Sequence, residues 1–68
     1  MSEGFMNWIK CSERMPEAGI YVLALLNGSP QVLFFDPRIN IWDDGDFHSF
    51  IKPSNVTHWM PLPQPPEG

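Results

Sequence analysis

Two apolar runs, Ile20-Tyr-Val-Leu-Ala-Leu-Leu26 and Gln31-Val-Leu-Phe-Phe-Asp36, flank Asn27-Gly28-Ser29-Pro30, and this stretch limits the folds open to the chain more than any other. Asn-Gly tolerates the positive φ values of a tight turn whose twist suits a hairpin, and both flanks are rich in β-branched, aromatic and large aliphatic residues. The stretch predicts a β-hairpin. Both of its strands are apolar on both faces, and an isolated two-stranded ribbon is marginal in water, so the remaining segments must cover it.

The chain has 68 residues, which gives one domain with one core, its ordered part about residues 5–66. Ordering a chain of this length at about 1.5 kcal/mol per residue costs on the order of 100 kcal/mol, so nearly all its apolar surface must be buried in compensation. Three Trp, one Tyr and five Phe supply much of that surface. So small and apolar a chain is also expected to bury surface in a homodimer or higher homo-oligomer.

A lone cysteine, Cys11, leaves no internal disulfide and fits a reducing cytoplasm. The start, Met1-Ser-Glu-Gly-Phe-Met-Asn7, lacks the basic and continuously apolar parts of a signal peptide, and no run approaches the roughly 20 apolar residues of a membrane span. The expectation is a soluble protein of the cytoplasm with no membrane partner. Net charge is −4, and the four bases, Lys10, Arg14, Arg38 and Lys52, are scattered, so a nucleic-acid partner is not expected.

Along the chain, Phe5-Met-Asn-Trp-Ile9 predicts a short strand with Trp8 turned inward. Pro16 suits the second position of a type I turn, and Pro16 and Gly19 would both sit inside a helix, so residues 11–19 predict an ordered loop rather than a helix. Pro37 ends the second hairpin strand. Ile39-Asn-Ile-Trp-Asp43 alternates, with Ile39, Ile41 and Asp43 on one face and Asn40 and Trp42 on the other, and Asp44-Gly45 signals a turn. Phe47 and Phe50 fall in a short strand or an irregular arm, and Pro53-Ser-Asn55 in a loop. Thr57-His-Trp-Met60 predicts a last strand, and Pro61-Leu-Pro-Gln-Pro-Pro66 an extended tail near polyproline II geometry that packs Met60 and Leu62 on the core. The fold class is all-β: an antiparallel meander of three to five strands curled into a half-barrel, with the N-terminal arm and the proline-rich tail over its open face.

The acidic turn Asp43-Asp-Gly-Asp46 offers carboxylates around a glycine, but it lacks the spacing and the far bidentate acid of a calcium loop, so a solvated turn is the expectation. Cys11, His48 and His58 contain no close ligand pair of the kind zinc uses, and nothing sets Cys11 beside a histidine as nucleophile and base. No metal, cofactor or catalytic residue is assigned, and the chain is expected not to be an enzyme. Arg14 can pair with Glu17 or an aspartate, or stack on Trp8 or Trp59. His58 is expected as a half-buried strand residue with a ring nitrogen on a backbone group, and His48 as exposed. Pro63-Gln-Pro-Pro66 fits a P-x-x-P pattern, for which rigidity of the tail is the simpler explanation.

Trp8, Arg14-Met-Pro-Glu-Ala-Gly19, Tyr21-Val-Leu23, Trp42 and Thr57-His-Trp-Met-Pro-Leu-Pro63 with Pro65-Pro66 together resemble a small domain of unknown function, family 551, over residues 8–66. Similar sequences are common in tailed bacteriophages and in prophages of enterobacteria, as free-standing proteins and as terminal modules of longer ones. Where similar sequences have glycine-rich spacers, this chain has Asp36-Pro-Arg-Ile-Asn40 and Phe47-His-Ser-Phe50. The resemblance implies a phage accessory protein and brings no catalytic residue or cofactor. The functional expectation is a non-enzymatic module that binds a host or phage protein, with Arg14, Trp42 and Trp59 as contact residues and Asp36, Asp43, Asp44 and Asp46 steering toward a basic surface. The alternatives are a structural, oligomerising module and an acidic mimic of nucleic acid that inhibits a host factor.

Overall fold

In the computed structural model, which describes residues 7–46 and 50–63, Asn27 and Gly28 take φ values of 51° and 86°. Positive φ at both positions is the requirement of a two-residue type I′ turn. This turn joins β2 (Val22–Leu26) to β3 (Ser29–Asp36), so Ser29 and Pro30 belong to the strand rather than to the turn. Pro30 is tolerated for a geometric reason. The turn closes on the pair Leu26 and Ser29, and the next pair is Leu25 and Pro30. In a hairpin of this length that second pair is not hydrogen-bonded, so the missing N–H would have pointed away from β2, where no strand lies alongside.

The remaining strands are β1 (Ile9–Lys10), β4 (Ile41–Asp43) and β5 (Val56–Pro61), the last preceded by a single 3-10 turn over Pro53–Asn55. All pairings are antiparallel, in the order β1-β5-β2-β3-β4, one five-stranded sheet. The all-β expectation stands, with one addition: β2, β3 and β4 are a simple meander, whereas β5 crosses back to lie between β1 and β2. β1 is shorter than expected, and Ile9 rather than Trp8 packs against the core. Phe5, Met6, Phe47 and His48, and the tail from Gln64 on, lie outside the described residues. No helix among the described residues is long and apolar enough to cross a membrane.

Strand alternation divides the sheet into two faces. Val22, Ala24, Leu33, Phe35, Trp42, Val56 and Trp59 form the buried inner face, covered by Ile9, Cys11, Met15, Leu26 and Ile51. A register shift between Ala24 and Leu26 places one extra residue on β5, so Val56 and Trp59 both reach the core though three positions apart. Among the described residues the cover over this face therefore comes from Ile9, the 11–19 loop and Ile51. Met60 pairs with Leu23 on the opposite face, which corrects its expected place in the core.

Two turns differ from the sequence expectation. The loop turn falls two residues later than Pro16 suggests: Ile20 N–H donates to the Glu17 carbonyl, and Gly19 at the third position has φ of 76°, as a type II turn requires. Ile39 and Asn40 belong to the 37–40 turn rather than to a strand, with Asn40 at φ 56°.

Candidate partner-binding groove

The loop after β1 builds one wall of the site. Its first turn is fixed by the Lys10 carbonyl, which accepts from the N–H groups of Glu13 and Arg14 at 2.9 and 3.1 Å. This sets the Arg14 carbonyl to accept from Trp59 Nε1 at 2.7 Å, while the Arg14 guanidinium lies 5.6 Å from the Trp59 ring centroid. Arg14 thus clamps the loop to the sheet by stacking on Trp59, one of the arrangements open from the sequence. Further on, Gly19 N–H donates to the Phe35 carbonyl at 3.1 Å and returns the chain into β2.

Between this loop and the end of β5 lies an apolar groove of about 310 Å³, lined by Pro16, Glu17, Ile20, Tyr21, Val22, Trp59, Pro61 and Leu62. Ile20 and Tyr21 are 50% and 45% exposed, so the groove presents apolar side chains to solvent. Glu17 is its one ionisable acid. Tyr21 also packs edge-on to Phe34, ring centroids 5.1 Å apart, and its hydroxyl lies against Gly45. Through Tyr21 the groove adjoins the acidic turn. Sequence reasoning had no means of finding Ile20 and Tyr21 as surface residues, because both stand in an apolar run that read as strand interior.

The acidic turn is internally bonded. Asp43 Oδ1 accepts from Gly45 N–H and Asp44 Oδ1 from Asp46 N–H, both at 2.9 Å. Asp36 stands apart from it, paired with Arg38 at 3.1 Å through two side-chain bonds. Hydrogen bonding from Arg38 holds the Asp36 carboxyl below its usual value. The expected rim of four aspartates is therefore one acidic turn plus a locally neutralised Asp36. A second hollow of about 230 Å³ lies beside that ion pair, against Ala18, Gly19, Phe34 and Phe35.

The aromatic contact residues need correction. Trp42 is fully enclosed and Trp59 only 6% exposed. Both are core residues, and Trp42 packs against Phe35 with ring centroids 5.3 Å apart. Trp42 has no contact surface to offer, and Trp59 shows the groove only a wall. The Trp42 Nε1 has no acceptor among the described residues.

Cys11 is packed against the core and its thiol is pushed up by burial, the reverse of what an activated nucleophile needs. His58 is half-buried, as expected, but its ring Nδ1 bonds Thr57 Oγ1 at 2.9 Å instead of a backbone group. No group of three or more metal-ligating side chains occurs among the described residues.

Residues 7–67 match the family described as a protein of unknown function, DUF551. The chain belongs to this family. A DUF551-sized relative, an uncharacterized 7.8 kDa protein from the ral-gp17 intergenic region of Salmonella phage P22, is 48% identical over 90% of this chain and 97% of its own length. No solved structure matches. In this DUF551 chain the residues that carried the resemblance do structural work: Trp59 and Trp42 fill the core, Gly19 makes the turn, and Arg14 fastens the loop.

Proposed function

We propose that this phage-associated DUF551 protein is a non-enzymatic accessory module that binds a host or phage protein in the bacterial cytoplasm. One observation carries the proposal: the groove with half-exposed Ile20 and Tyr21 abuts the turn bearing Asp43, Asp44 and Asp46. An apolar side chain of the partner would fill the groove, and a neighbouring basic group would meet Glu17 and the turn. Apolar burial then supplies affinity, while the acidic residues raise the association rate and select against acidic surfaces. Mimicry of nucleic acid has less support, because Arg38 neutralises Asp36 and the other three aspartates share one turn instead of forming a row.

The test is capture from an enterobacterial lysate, read by mass spectrometry. It compares the wild type with Ile20→Ser and with a triple variant carrying Asp43→Asn, Asp44→Asn and Asp46→Asn. Asparagine keeps the side-chain oxygens that hold the turn, so the triple variant removes charge without unfolding the site. A protein enriched by the wild type and lost from both variants supports the proposal. Recovery of the same proteins by all three contradicts it.

A further inference from the structure

We propose that the groove takes an extended, proline-rich segment of a foreign protein, with a basic residue beside its prolines. The inference deepens the function proposed above and rests on the groove being the contact site. Main-chain hydrogen bonding carries it. The floor of the groove holds Val22 on β2 and Pro61 on β5, and Val22 is paired with Pro61 on one side and with Leu33 on the other. No strand edge is open there, so a ligand cannot join the sheet as an added strand. Main-chain partners are scarce on the walls as well. Pro16 and Pro61 have no N–H, and the Glu17 and Arg14 carbonyls already accept from Ile20 N–H and Trp59 Nε1. An ordinary extended segment would bury N–H groups there without acceptors, whereas proline has none to bury. Polyproline II geometry needs no internal hydrogen bonds and is preset by the ring, so fixing it on the surface costs little entropy. Tyr21, Trp59, Pro16 and Pro61 also present apolar rings, the lining on which proline-rich ligands dock.

Charge fixes the flanking residue. Glu17 is the ionisable acid of the lining, and at Tyr21, whose hydroxyl lies against Gly45, the groove adjoins the turn with Asp43, Asp44 and Asp46. At Trp59 the Arg14 guanidinium lies 5.6 Å from the ring centroid. A basic residue of the ligand therefore sits toward Tyr21, where an acidic one is repelled. The same charges set aside a second copy as the occupant. This chain's own run Pro61-Leu-Pro-Gln-Pro-Pro66 is followed by Glu67 and contains no base, so it lacks the charge that the rim selects.

Size sets the strength. A groove of about 310 Å³ is at the low end for a ligand site. The expected dissociation constant for a short peptide is therefore weak, about 10–1,000 μM.

The test is an NMR titration of the isotope-labelled protein with the synthetic peptide Arg-Pro-Leu-Pro-Pro-Leu-Pro. Three other peptides run beside it: the same one with Glu in place of Arg, residues 62–68 of this chain, and a basic amphipathic helical peptide without proline. The first peptide is expected to give saturable shifts at Ile20, Tyr21 and the Trp59 indole. Ile20→Ser should weaken its binding at least roughly tenfold. Glu17→Gln, or Glu for Arg in the peptide, should weaken it about two- to fivefold at low salt. Glu17→Gln keeps the main-chain carbonyl that holds the turn, so that comparison stands even if Ile20→Ser unfolds. A helical peptide that binds the groove more tightly than the proline-rich one overturns this inference and leaves the partner-binding reading standing. Residues 62–68 binding as tightly as the basic peptide would overturn the choice of a foreign, basic ligand. No saturable shift at the groove by about 2 mM of the basic proline-rich peptide also overturns the inference, and the capture experiment above then judges the partner-binding reading by itself.

Discussion

Gly45 has φ of 90°, and a methyl group placed on it would collide with the Tyr21 hydroxyl. Gly45→Ala therefore meets two penalties, the left-handed backbone and the clash, and is expected to lose about 2 kcal/mol or more in urea unfolding. Gly28→Ala meets open space at φ of 86° and should lose only the backbone share, about 1 kcal/mol. Adding Tyr21→Phe to Gly45→Ala removes the clashing oxygen and should return part of the difference, which a double-mutant cycle reads directly. Cys11 gives a second test. Burial outweighs its backbone hydrogen bond and lifts the thiol above its ordinary value of 9.0. Iodoacetamide should modify the folded protein slowly, with a rate profile displaced to higher pH than in urea. The sign for stability follows: a raised folded pKa contributes fully below the unfolded value and is lost as pH rises through the folded one.

At the scale of elements, local chemistry was legible in the sequence and distant pairing was not. Asn27-Gly28 states its own turn, and Pro37 its own break. Nothing local in Thr57-His-Trp-Met60 tells that it lies between β1 and β2, because that depends on which chain segment reaches it. Alternation likewise placed Trp42 on the face opposite Ile41 and Asp43 but left open which face is closed. That is why Trp42 was legible as a feature and misplaced as a contact. Its position on a three-residue strand makes the energetic consequence large. β4 is held by Phe35 and by two backbone bonds between Trp42 and Ile51, of 2.8 and 3.0 Å. Trp42→Ala should cost about 3–5 kcal/mol. Domains of this size have only about 3–10 kcal/mol in total, so the variant is expected to be largely unfolded at 25 °C by circular dichroism. Phe50→Ala, at a residue 66% exposed, should leave the midpoint nearly unchanged.

Among the described residues one face of the sheet is closed, while the groove at the loop and Val32 on the opposite face leave apolar surface exposed. A chain this short can close one core, and its surplus aromatic and aliphatic residues stay at the surface. The candidate site was half legible. The acidic turn and the clamp by Arg14 could be read from residue type and spacing, while Ile20 and Tyr21 emerged only when the Gly19 turn set them at the rim. The most direct test measures the dissociation constant of the captured partner for the wild type, Ile20→Ser and the triple Asn variant at low and high salt. The groove account predicts that Ile20→Ser weakens binding at both salt concentrations. The triple variant should weaken it at low salt, with the difference from wild type fading as salt screens the exposed charges. Equal constants for all three proteins at both concentrations would contradict it.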